Sequence, residues 1–343
     1  MNRCSMKVVC NVFSLVVLLL ISGCDEKGAT RPGRNYSGEL LGKKYEVDIL
    51  DDTTNLQWVI DSVFAPIERI FNSSNPQSLI NGINAFQRMD TVYDFIDSTR
   101  LFGIVYDLSL DLCRNTQRGW DPATAPLKRH LLLSGGNTPV SDSLLEACSF
   151  NEFNIRMQEH VDDNGVYSYT SILKRNLLTE LDFSDIASAL AVDYLAEALV
   201  LHGAKAFRIK HDKDVKCYGL KGHELATLPL GMSSGPDNPN VDIGNMAYAS
   251  RDGKDKLSIV DAETGFFSSG PIVYTAVAAP QLTDARIYSH AFMVKDLNSI
   301  ADYYTINPDS KLQSFIFFQR GDTLQNASTN GFDQLIVSSK AKE

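Results

Sequence analysis

Basic residues are the first shortage. The 343-residue chain has 32 Lys and Arg against 42 Asp and Glu, a net charge of -10, and a protein that grips nucleic acid through its phosphates needs the opposite balance. Long apolar runs are scarce as well. The most apolar stretch, Val8 to Ile21, is broken by Cys10, Asn11 and Ser14 and is too short to span a bilayer comfortably. Catalytic signatures are scarce: there is no P-loop, no G-x-G-x-x-G, and no H-E-x-x-H or H-x-x-x-H spacing among the six histidines. P-loop, Rossmann and histidine-held metal readings therefore lose their usual support. The six cysteines contain no C-x-x-C pair, which argues against a zinc site or a disulfide framework.

What remains is ordinary globular composition, 44% hydrophobic and 22% charged, enough to bury the core of one large domain. The N-terminus is different. Arg3 and Lys7 precede the apolar run, which ends in Leu20-Ile21-Ser22-Gly23-Cys24, similar to a bacterial lipobox. Residues 1–23 are expected to be a lipoprotein signal peptide, with lipid on Cys24 as the membrane attachment and residues 24–35 as a flexible tether. The fold is expected over residues 36–343. This places the protein in the bacterial cell envelope, facing outside the cytoplasm. Loss of Arg3 and Lys7 leaves 30 basic and 42 acidic residues, a charge of -12.

Lys44 to Leu50 alternates as a strand, and Leu56 to Phe71 carries apolar residues at helical spacing with Pro66 as an expected bend or break. A further helix is centred on Leu101 to Leu112, where Cys113 reads as a core residue. Another strand covers Val166 to Lys174. The clearest helix runs from Asp182 or Ser184 to Gly203, with one apolar stripe from Ile186 to Leu199. Strands are expected at Ala206 to Ile209, Ile272 to Ala278, Leu312 to Phe318 and Gln334 to Val337, with a helix around Leu297 to Tyr304. Gly231 to Asn240 reads as a loop. Helices and strands mix without a regular βαβ repeat, which indicates the α+β class.

Five stretches, in order, resemble the FAD:protein FMN transferases, the ApbE family. They are Gly38 to Tyr45, Phe71 to Asn84, Gly119 to Leu127, Leu181 to Asp193 and Ile259 to Gly265. The third, Gly119-Trp120-Asp121-Pro122, is close to the family's A-F-D-P, and Leu181 to Asp193 follows L-D-L-x-G-I-A-K-G-Y-A-V-D. The resemblance implies Mg-dependent transfer of FMN from FAD to a Thr of a partner protein. It also implies roles by position. Leu41, Gly119, Trp120, Asp121, Asp182 and Ser188 fall at cofactor-binding positions, Asp261 at a catalytic one, and the Asp185 carbonyl at a metal ligand.

The departures count against that chemistry. The family's late metal motif, A-D-x-x-(A/D)-T, aligns in two ways. Without a gap, Arg286 takes the Asp position and His290 the Thr position; a two-residue slip puts Asp284 and Tyr288 there instead. Ser188 replaces a Lys, Ser250-Arg251 a Ser-Gly pair, Ser258 a His, and Arg208-Ile209-Lys210-His211-Asp212 stands for N-x-G-G-D, so that Lys210 and His211 bring side chains to glycine positions. Two readings follow: a transferase holding Mg through Asp185 and Asp284, or a non-catalytic lipid-anchored binding or accessory protein. The second is favoured because replacements gather at chemical positions while the apolar helix pattern stays intact.

Overall fold

Leu41 and Gly42 both adopt positive φ, 50° and 76°, which gives the type I′ twist that a two-residue hairpin turn needs. This hairpin opens the fold. The computed structural model describes residues 33–50, 55–136, 138–163, 167–231 and 239–337; Cys24, the signal segment and most of the tether and the Gly231 to Asn240 loop lie outside them. In chain order the first elements are β1 (Arg34–Leu40), β2 (Lys43–Leu50), α1 (Gln57–Phe71), α2 (Leu79–Ala85), β3 (Tyr93–Phe95), α3 (Leu101–Asn115), α4 (Ala125–Leu133) and α5 (Asp142–Ala147). Next come β4 (Ile155–Val161), β5 (Tyr167–Lys174), α6 (Ser184–Leu201), β6 (Ala206–His211), β7 (Asp214–Tyr218), β8 (Thr227–Pro229), β9 (Asn240–Asp242) and β10 (Ala247–Asp252). The chain closes with β11 (Ile272–Ala279), α7 (Leu282–Phe292), α8 (Leu297–Ile306), β12 (Gln313–Arg320), β13 (Thr323–Ser328), α9 (Asn330–Asp333) and β14 (Ile336–Val337).

Eight strands form one antiparallel sheet in the order β1-β2-β6-β7-β10-β11-β12-β13. The large apolar cluster joins Val47 and Ile49 of β2 to Ile60 and Ile67 of α1, Ala187 and Leu195 of α6, and Ala285 and Ile287 of α7. A second cluster holds Val215, Cys217, Tyr248, Tyr274 and Phe332 with Val241 of the small sheet β14-β9-β8. Strand residues alternate between faces, so β2 gives Tyr45, Val47 and Ile49 to the first cluster. A third sheet, β3-β5-β4, is also antiparallel. The class is α+β.

Four expectations need adjustment. The first strand begins at Arg34, two residues inside the expected tether. Helix α1 continues through Pro66 without a break, because the carbonyl that loses its partner belongs to exposed Ser62 and stays open to water. Helix α6 is buried nearly all round, every residue from Ile186 to Asp193 being covered, so its apolar stripe is in fact a core helix between α1 and α7. In the final segment only Ile336 and Val337 are strand, preceded by the turn of α9.

Candidate functional site

Helix α7 leaves the sheet beside α6 and carries the centre of the site. Its start is held across the fold: Asp193 of α6 accepts hydrogen bonds from the amides of Leu282 (2.8 Å) and Thr283 (2.9 Å) and from the Thr283 hydroxyl. Close packing fixes its other end, since a Cβ on Gly119 would meet Ala291 Cβ at 3.0 Å and the Ala291 carbonyl at 3.1 Å. Between these two supports the Arg286 side chain, 1% exposed, points into the junction of α6, β6 and β7.

A guanidinium has five N–H groups, and Arg286 directs all of them to protein partners. Nε donates to Asp214 at 2.5 Å, Nη1 to the Asp185 carbonyl at 3.2 Å and the Ser188 hydroxyl at 2.5 Å, and Nη2 to His211 Nδ1 at 3.0 Å and the His211 carbonyl at 3.5 Å. His211 Nε2 lies 3.1 Å from the Leu40 carbonyl; the pattern assigns the neutral tautomer with the proton on Nε2. Burial, and then Arg286, lower the His211 pKa to about 4. Asp214 also receives Arg251 through two bonds, at 2.9 and 3.3 Å. Burial alone would raise the Asp214 pKa, but the two guanidiniums outweigh it and hold the carboxyl down at about 2.

The Asp185 side chain faces the other way, into a cleft of about 150 Å³. Lys43 Nζ approaches it at 3.8 Å and His290 Nδ1 at 3.9 Å. Burial opposes its charge, yet Lys43, His290, Arg251 and Arg286 together keep it well below the usual carboxylate range. His290 is lowered to about 4, chiefly by burial, so it stays neutral at pH 7. Lys128, Lys213, Asp182, Asp212 and Asp255 complete a lining of both signs.

The structure brings Trp120, Asp121, Asp182 and Asp185 to this one cleft. It does not bring the others. Asp121 has no free carboxylate oxygen: Ala123 N, Phe150 N and Arg118 Nε occupy it. Leu41 sits in the hairpin turn and donates to Glu68; Gly119 serves the α7 contact; Ser188 is covered and bonded to Arg286. Asp261 closes a local turn through the amides of Glu263 and Gly265. Asp284 is two residues from Arg286, about 200° around the helix, and its charged neighbours are Asp193 and Lys216. The two expected metal ligands thus have different charged neighbours, Lys43 and His290 for Asp185 and Asp193 and Lys216 for Asp284. Lys210 and His211 separate likewise, Lys210 pairing with Glu46 on the strand face opposite His211. Lys43 and Lys213 of the cleft carried no signal in the sequence.

Residues 41–313 match the model of the ApbE family. The chain belongs to the ApbE family. It is similar to the flavin transferase ApbE of Vibrio cholerae at 16% identity and a TM-score of 0.69, covering 89% of this chain and 100% of that one. It is also similar to the Pseudomonas stutzeri flavinyl transferase ApbE in its apo form, at 15% identity and a TM-score of 0.69 over 90% and 97% of the two chains. The ApbE protein of Thermotoga maritima matches at 14% identity and a TM-score of 0.66, over 89% and 99%. No curated sequence matches.

Against this ApbE fold the departures acquire a common meaning. Arg286, His211, Ser188 and Arg251, which the sequence reading set beside separate ApbE motifs, meet in one network around Asp214. The residues do not fit Mg²⁺. That ion takes near-octahedral oxygens, whereas the carbonyl of Asp185 accepts from a guanidinium that would repel it, and no group of three His, Cys, Asp or Glu suited to a metal occurs among the described residues.

Proposed function

We propose that this chain is a lipid-anchored ApbE-family protein of the bacterial cell envelope that has lost FMN transfer and works as a binding or accessory module. The observation that carries this reading is the Arg286 guanidinium bonded to the Asp185 carbonyl and to Asp214. Two buried cations, Arg251 and Arg286, are both bonded to the Asp214 carboxylate, so the site already holds positive charge that opposes an added cation. Residues replaced by drift would leave unpaired charges, which are costly when buried. Here each replacement has a partner. The cleft beside the network remains, with Lys43, Arg251, Asp182 and His290 on its walls, and it suits a small polar ligand bearing both charges better than a dinucleotide. The lipid on Cys24 belongs to the same reading and supplies the attachment, because no described helix is long and apolar enough to cross a membrane.

The test is flavin transfer itself. The processed protein is incubated with FAD, Mg²⁺ and a protein carrying the ApbE acceptor Thr motif, and the intact mass of the acceptor is measured. The expected result is an unchanged mass, with no FAD-induced rise in the melting temperature, since any ligand that binds the native state raises it. An Mg²⁺-dependent flavin adduct overturns the proposal.

A further inference from the structure

One end of the molecule gathers exposed apolar side chains around the point where the described chain begins. The register places Arg34 of β1 opposite Ile49, Leu50 of β2 opposite Ala206, and Phe207 of β6 opposite Tyr218. All four strand ends therefore share one edge of the sheet. Helix α6 ends at the same edge, because only five residues, His202 to Ala206, lead from Leu201 to the first register pair of β6. Helix α1 starts there too, the Tyr36 hydroxyl of β1 accepting from the Leu56 amide at 3.0 Å.

On this edge Leu201 is 83% exposed, Trp58 57%, and Val200 and Tyr218 40% each. They are continuous. The Trp58 ring lies 4.8 Å from that of His202, next to Leu201, and Val200, Leu201 and Tyr218 line one groove. Contiguous apolar surface of this kind marks a contact site, and Trp and Tyr are the side chains suited to the boundary between lipid and water.

We propose that this edge lies against the surface of the lipid bilayer, with Trp58, Val200, Leu201 and Tyr218 entering its interfacial layer. The proposal rests on Cys24 being the lipidated residue. Ten residue steps separate Cys24 from Arg34, and even a fully extended chain spans at most about 35 Å in ten steps. The lipid therefore confines this end of the fold near the bilayer. One lipid attachment gains from a second contact, and the apolar edge provides it.

The chain has two tryptophans, Trp58 and Trp120, and Trp120 is buried at 4% exposure, so Trp58 reports on the edge. The full processed lipoprotein is placed in phosphatidylcholine vesicles with and without bromine in the acyl chains. Its mass is read in parallel for lipid on Cys24. Trp58 emission is expected to shift to the blue and to be quenched by the brominated lipid, and Val200→Glu with Leu201→Glu to abolish both effects. Trp58→Phe should leave only unquenched Trp120 emission. Lipid on Cys24 with unquenched Trp58 overturns the docked edge and leaves the anchor standing. Absence of lipid on Cys24 overturns both. If the double Glu variant instead breaks a dimer and leaves quenching intact, the edge is a contact between copies and the proposal fails.

Discussion

Arg286 uses every N–H it has inside the protein, and its consequences reach His211 first. That imidazole is fully buried, accepts from Arg286 and cannot take a second proton without facing the guanidinium. Burial, and after it Arg286, lower its pKa from 6.5 to about 4. The unfolded chain therefore binds more protons than the folded one between those values, and the stabilisation is complete above about pH 6.5 and lost as pH falls toward 4. At 1.36 kcal/mol per pKa unit the loss is about 3 kcal/mol for this side chain. Urea unfolding at pH 7 and pH 4.5 measures it: the midpoint should fall steeply with pH, and His211→Asn, which keeps an acceptor for Arg286 without titrating, should remove about half of the histidine dependence, His290 supplying the rest. An equally steep fall in His211→Asn would show that His211 is not the responsible group.

At the scale of elements, α7 decides the site, because it presents Arg286 to one side and Asp284 to another. Its own N-cap residue, Gln281, makes no side-chain cap; Asp193 does the work from α6, 3.4 Å from Lys216. Asp193→Ala should cost about 3 kcal/mol, the sum of a lost cap and a buried cation left without its carboxylate. A urea midpoint within error of the parent would contradict this. The same helix explains what was legible in the sequence. The α+β class, β2, α1, α3 and α6 follow from periodicity and from five ordered motifs. The late metal motif does not, because two alignments differing by two residues are equally good in one dimension and point to opposite sides of a helix in three. Strand β7 escaped because Asp214, Val215, Lys216 and Cys217 are all buried and show no alternation, and β13 because all six of its residues are exposed. The core reading of Cys113 holds. Cys113, Cys148 and Cys217 are free and buried, and burial raises Cys148 and Cys217 to about 12.

At the scale of the molecule, the ApbE fold carries one buried polar network at its centre, and the proposed loss of metal binding stands on that network. Ser188, His211, Arg251 and Arg286 come from α6, β6, β10 and α7 and meet there. The measurement that tests it most directly is anomalous X-ray scattering from crystals grown with Mn²⁺, a substitute for Mg²⁺, and FAD. The account predicts no anomalous peak near the Asp185 carbonyl, with the Arg286 guanidinium bonded to that carbonyl and to Asp214. A manganese peak at that carbonyl, with Arg286 displaced from it, would contradict the account.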